Sequence, residues 1–176
     1  MPTTPPESKA KTNLPHLRDI IARYNLEARR SFGQHFLLDL NLTRRIVKVA
    51  GDLNNHSIIE IGPGPGGLTR ALLETSAKQV IAVERDERCI KGLKTLANTF
   101  PKRLKIIEED ALKFNLSNLA SADKITVIAN LPYNISIPLL INWLRQLSVI
   151  NSMTLMFQKE VAARLTAEPG TKEYGR

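Results

Sequence analysis

The stretch Ser57-Ile-Ile-Glu-Ile-Gly-Pro-Gly-Pro-Gly-Gly-Leu-Thr69 decides how the chain folds. Residues 57–61 have the isoleucine-rich pattern of a short buried strand, and the glycines after them make a tight turn into a helix over residues 68–73. Downstream the pattern repeats. Strands are expected at 79–83, 104–107, 124–129 and 153–157. Between them, Asp86 can cap a helix burying Ile90, Leu93, Leu96 and Ala97. Ser136 can cap another with Leu140, Trp143, Leu144 and Leu147 on one face, and a short helix follows over residues 159–165. Upstream, Thr43, Ile46, Val47 and Ala50 mark one helix, and Leu17, Ile20, Ile21 and Tyr24 mark an earlier one spanning 14–30. Strands separated by helices of this length are βαβ units, which require a parallel sheet covered on both faces. Right-handed crossovers then give an α/β, doubly wound, Rossmann-like fold.

Composition narrows the class. The chain has 176 residues, with 25 Lys+Arg against 17 Asp+Glu and a formal charge of +8. With 43% hydrophobic residues it supports one packed core. Cys89 is the sole cysteine, so a disulfide scaffold is excluded. No apolar run approaches the ~18 residues of a membrane span, and the first 13 residues have no apolar core of a secretory signal. A cytoplasmic, monomeric protein with a polyanionic partner is expected, since the pI is about 9.8. Residues 1–13 are read as a disordered basic arm and 14–176 as one domain. The ending EPGTKEYGR lacks closing strands after it and reads as a cut.

Three segments could carry chemistry, all at strand C-termini, where open parallel sheets place ligands. The first is the glycine turn, where Gly62, Gly64 and Gly66 allow close approach of a ligand. Glu84 follows at the end of the next strand, placed to accept from ribose hydroxyls. Gly62, Gly64 and Gly67 also satisfy G-x-G-x-x-G, so NAD competes with S-adenosylmethionine. Pro63 and Pro65 weigh against NAD, because they remove N–H groups that a pyrophosphate needs. The second is Asp110, either an acceptor for an adenine amino group or a solvated loop acid. The third is Asn130-Leu-Pro-Tyr-Asn-Ile-Ser136. Here the Asn130 side-chain oxygen and the Leu131 carbonyl can accept from an exocyclic amine and aim its lone pair. Pro132 stiffens the chain, and Tyr133 offers a ring for a base to stack on, worth roughly 1–3 kcal/mol. Trp143, Leu144 and Phe157 are read as core. Cys89 has no His nearby to activate it, and His16, His35 and His56 have no metal-ligand spacing, so no metal is expected.

Taken in order, SFGQHFL (31–37), EIGPGPGGLT (60–69), VERD (83–86), EDAL (109–112) with NLPYNIS (130–136), and FQKEVAARL (157–165) resemble the ribosomal RNA adenine dimethyltransferase family. The resemblance implies a class I methyltransferase fold with S-adenosylmethionine as methyl donor. It implies cofactor contacts at His35, Leu37, Gly62, Glu84, Asp110 and Asn130, with Asn130, Leu131, Pro132 and Tyr133 presenting the base. Position 35 departs from the family's commoner Asn. The family also continues beyond Arg176 with closing strands and a small helical domain.

Leu131 and the Gly-Pro-Gly turn look more like the small-subunit branch, which modifies two adjacent adenosines in a hairpin loop near the rRNA 3′ end. The partner implied is small-subunit ribosomal RNA or an immature small subunit. The alternatives are the macrolide-resistance branch acting on large-subunit rRNA, a non-catalytic ribosome assembly factor, an NAD-dependent dehydrogenase, and a methyltransferase for DNA or a protein glutamine. Arg23, Arg29, Arg30, Lys102, Arg103 and Lys105 are candidate phosphate contacts.

Overall fold

The computed structural model describes residues 14–26, 35–119 and 125–174. Helices α1 (Leu17–Arg23) and α2 (Leu40–Val49) precede β1 (Ser57–Ile61) and α3 (Gly67–Leu73). Then come β2 (Gln79–Glu84), α4 (Glu87–Thr99), β3 (Leu104–Glu108) and β4 (Ile125–Asn130). The last elements are α5 (Ser136–Leu144), β5 (Ile150–Met156) and α6 (Lys159–Leu165). All strand pairs are parallel, in the order β3-β2-β1-β4-β5. The doubly wound sheet expected from the sequence is therefore present. The expected arm over 1–13, and Arg29 and Arg30, lie outside the described residues.

Central β1 is buried at every residue, as a parallel strand covered on both faces must be. Its side chains alternate between two layers. Ile58 joins Val80, Ala82 and Ile128 beneath Ile46 and Val47 of α2, Leu68 and Leu72 of α3 and Leu96 of α4. Ile59 and Ile61 join Ile81, Val83, Val127 and Ala129 on the opposite side, under Leu139 and Trp143 of α5. Burying each such side chain stabilises the fold by about 1.5–3 kcal/mol. Outside α4, Ile20 and Leu26 pack around Cys89. Cys89 is buried in the helix, which pushes its thiol pKa up and leaves it no nucleophilic role.

Several boundaries differ from expectation. Helix α1 stops at Arg23 because Asn25 turns the chain with φ 50°, and Arg88 of α4 donates to the Asn25 carbonyl at 3.0 Å to hold the turn. Asp86 caps α4 as expected, accepting from the Arg88 amide at 3.0 Å. Ser136 does not cap α5. Ile135 occupies the cap position, and Ser136 begins the helix with its hydroxyl donating to the Tyr133 carbonyl at 3.2 Å. The buried stripe of α5 is Leu139 and Trp143, while Leu144 (50% exposed) and Leu147 (52%) face outward. The helix ends at Leu144, so Leu147 falls out of its periodicity. Strand β5 begins three residues earlier than expected, and Phe157 packs against the layer containing Trp143.

Arg103 has backbone partners. Its guanidinium donates to the carbonyls of Leu73 (2.9 Å), Thr75 (2.8 Å) and Ala77 (3.1 Å). These carbonyls close the end of α3 and the turn into β2, so Arg103 ties the two elements together.

Candidate functional site

Strand order reverses at β1, which lies between β2 and β4. The loops after β1 and β4 therefore diverge above the sheet and leave a crevice between them. The crevice is open to solvent and spans about 600 Å³, its open mouth included. Gly62 and Gly64 line it from the β1 loop, Glu84 and Arg85 from β2, Glu109 and Asp110 from β3, and Asn130, Leu131 and Pro132 from β4. His35 and Phe36 close one side. Leu37 lines an adjoining hollow of about 240 Å³ with His35, Glu60, Gly67 and Asn130. Tyr133 stands outside both linings, stacked on the His35 ring with centroids 4.4 Å apart and planes at 29°. It is half-buried, so one part of the ring remains accessible.

The donor side is tightly made. The amide of Gly62 continues the ladder to Val83 at 3.0 Å, and the Gly66 amide closes the turn on Pro63 at 3.0 Å. Glu84 accepts from the Gly64 amide at 3.1 Å through one oxygen, and from the Arg85 and Asp86 amides at 2.9 and 3.0 Å through the other. The expectation that Glu84 is free for two ribose hydroxyls is thus narrowed. Of about four acceptor positions on a carboxylate, three hold the backbone. Burial raises the Glu84 pKa, opposed by those amides, while the nearby Asp86 charge raises it further.

The glycines are not all there to admit a ligand. A Cβ on Gly64 would stand 2.8 Å from the Phe36 ring, and one on Gly67 would collide with the Leu37 carbonyl. These positions receive residues 36 and 37, so the chain from the N-terminal side lies directly on the turn. At Gly62 a Cβ would meet the Pro132 ring at 3.4 Å, which packs the two loops together.

Asp110 is already engaged. One oxygen accepts from the Leu112 amide at 3.0 Å, and the other pairs with Arg85 at 3.4 Å. Asn130 donates through Nδ2 to the His35 carbonyl at 2.7 Å.

Glu60 of β1 stands apart from the expected site residues. It is 1% exposed, and Oε2 has no hydrogen-bond partner. Burial pushes its pKa up to about 8, with the Glu84 charge adding to the shift and Thr69 opposing it. An acid inside an otherwise apolar strand was the sequence sign that could have marked it.

A matching family model, ribosomal RNA adenine dimethylase, covers residues 25–176. The chain belongs to the ribosomal RNA adenine dimethylase family. It is 56% identical over 163 residues to ribosomal RNA small subunit methyltransferase A of Rhodospirillum rubrum, covering 93% of this chain and 56% of that protein. It is 54% identical to the protein of the same name from a Chelativorans species, covering 93% of this chain and 61% of the relative. The chain therefore spans a little over half the length of these relatives. Among solved structures, a dimethyladenosine transferase from Plasmodium falciparum matches with TM-score 0.69 and 32% identity over 80% of this chain and 50% of the other. The 23S rRNA methyltransferase ErmE matches with TM-score 0.66 and 27% identity, over 77% and 53%. Dimethylases of this family use S-adenosylmethionine. The residues here fit such a group: acidic and amide side chains at four strand ends face one crevice, and Glu60, one oxygen of which has no hydrogen-bond partner, lines the adjoining hollow.

Among the described residues no helix is long and apolar enough to cross a membrane, and no cluster of His, Cys, Asp and Glu could hold a metal ion.

Proposed function

We propose that this chain transfers methyl groups from S-adenosylmethionine to N6 of two adjacent adenosines in a loop near the 3′ end of small-subunit rRNA. The partner is the immature small ribosomal subunit, and the protein acts in the cytoplasm as a monomer, with 14–176 as its catalytic domain. One observation carries the function. The Asn130-Leu131-Pro132 turn opens on the same crevice as Gly62, Glu84 and Asp110, so an amine acceptor and a nucleoside-sized donor can meet there. The names of the relatives favour the small-subunit substrate over the large-subunit one.

When bound, the cofactor supplies a methyl group on a positively charged sulfur. Gly62, Glu84 and Asp110 are the residues that would hold its nucleoside. The Asn130 side-chain oxygen and the Leu131 carbonyl accept from the target amine. This directs its lone pair into the crevice, where the bound donor would supply the methyl carbon and keep the electron pair of its broken C–S bond. The methylated amine then loses its proton to water. Catalysis here is positioning and electrostatic preorganisation. The target base must leave its stack at a cost of a few kcal/mol, and stacking on Tyr133 offsets part of that.

The test is radiolabelled methyl transfer by the product of the reading frame that carries this chain. Small subunits lacking the modification should accept two methyl groups on each of the two target adenosines, and large-subunit rRNA none. Stable binding to subunits without transfer would instead identify an assembly factor.

A further inference from the structure

Residues 35 and 133 are far apart in sequence, yet one residue touches both elements of the acceptor subsite. The His35 ring lies against Tyr133, centroids 4.4 Å apart, and the His35 carbonyl accepts from Asn130 Nδ2 at 2.7 Å. A carbonyl can only accept, so the amide nitrogen of Asn130 must face it. The Asn130 oxygen is then turned the other way. Flipping the amide would set oxygen against oxygen at this distance and lose the hydrogen bond. The segment that carries His35 is seated, because Phe36 rests on Gly64 and the Leu37 carbonyl rests on Gly67, at positions where any side chain on the turn would collide.

We propose that His35 is a positioning residue for the methyl-acceptor subsite, setting the Asn130 amide with its carbonyl and the Tyr133 ring plane with its imidazole. The inference rests on the methyl-transfer function above. It assigns the His35 ring to the base side of the crevice, where the resemblance placed it among cofactor contacts. One face of Tyr133 is backed by the imidazole, so an incoming purine stacks on the other and the three rings form a layered sandwich. An aromatic pair of this kind is worth about two- to tenfold in an equilibrium or rate.

The experiment compares His35→Ala and His35→Phe with the wild type in three readouts. These are kcat at saturating cofactor and RNA, the dissociation constant of S-adenosylhomocysteine, and the ring-proton shifts of labelled Tyr133. The alanine variant should lose about two- to tenfold in kcat. Its affinity for S-adenosylhomocysteine should stay within about twofold of wild type, and the Tyr133 signals should move downfield as the ring current disappears. Phenylalanine, which stacks but cannot hydrogen-bond through its side chain, should restore both kcat and the Tyr133 shifts. An unchanged kcat in the alanine variant overturns the inference. So does a large loss of S-adenosylhomocysteine affinity with kcat intact, which would make the ring a cofactor contact. Failure of phenylalanine to rescue an alanine defect likewise overturns it. Failure of the function itself looks different: a wild type that transfers no methyl to any ribosomal RNA, evident before any variant is compared.

Discussion

The two loops that meet above β1 are held differently. The glycine turn after β1 is held by partners close in sequence: its own Pro63 carbonyl, and Glu84 twenty residues from Gly64. The turn after β4 also closes on itself, the Ile135 amide donating to the Pro132 carbonyl at 3.1 Å, but the Asn130 side chain is held by His35, 95 positions away. The hydrogen bonds of the donor turn thus close over shorter loops at smaller entropic cost, whereas the Asn130 side chain is oriented only once residues 35 and 130 have come together.

Four substitutions test that contrast. The largest effect is expected from Asn130→Ala, which removes the acceptor facing the target amine. Methyl transfer should fall by about 10²–10³-fold, with S-adenosylhomocysteine binding nearly intact, as measured by single-turnover kinetics and calorimetry. Equal losses in both would mean that the two loops do not divide the work.

Next is Glu60→Gln, read as a pH profile. The folded chain holds the Glu60 proton up to about pH 8, against an ordinary value of 4.5, so this proton favours the folded state. That contribution is complete below pH 4.5 and disappears as pH rises through 8, giving a slope of up to about 1.4 kcal/mol per pH unit between the two. Denaturant titrations from pH 5 to 8 should show wild-type stability falling and the glutamine variant's profile flattened. A parallel pair of profiles would remove Glu60 as the cause.

Gly67→Ala should follow, because its methyl would strike the Leu37 carbonyl and lift the segment that seats His35. A loss of about 1–3 kcal/mol in stability is expected, together with a fall in transfer rate, since the acceptor side depends on that seat. The smallest effect belongs to Arg103→Ala. It frees three carbonyls at the end of α3 and should cost about 1–2 kcal/mol in thermal unfolding, with RNA affinity and its salt dependence unchanged. A reduced salt slope would make Arg103 a phosphate contact as well.

Much of the sheet was legible because its strands are short apolar runs between turn signals, and four of the five begin within one residue of expectation. Strand β5 and the face of α5 were less so. Both lie at the edge of the sheet, where Leu144 and Leu147 are apolar yet exposed, and apolar periodicity alone cannot tell a buried stripe from one left outside. The carbonyl partners of Arg103 were not legible for a related reason: a charged side chain carries no sign in the sequence of which neighbouring carbonyl it meets.

By itself the sequence determined the βαβ order, the strand ends that bear Gly62, Glu84, Asp110 and Asn130, and the absence of a disulfide scaffold. Those follow from local periodicity and residue type. Tertiary packing decided that Glu84 serves the backbone, that Glu60 is buried without a full set of partners, that Gly64 and Gly67 seat another part of the chain, and that His35 meets Tyr133 and Asn130. The physical reason is directional: hydrogen bonds and close contacts depend on where distant segments lie in space, and spacing along the chain does not encode that.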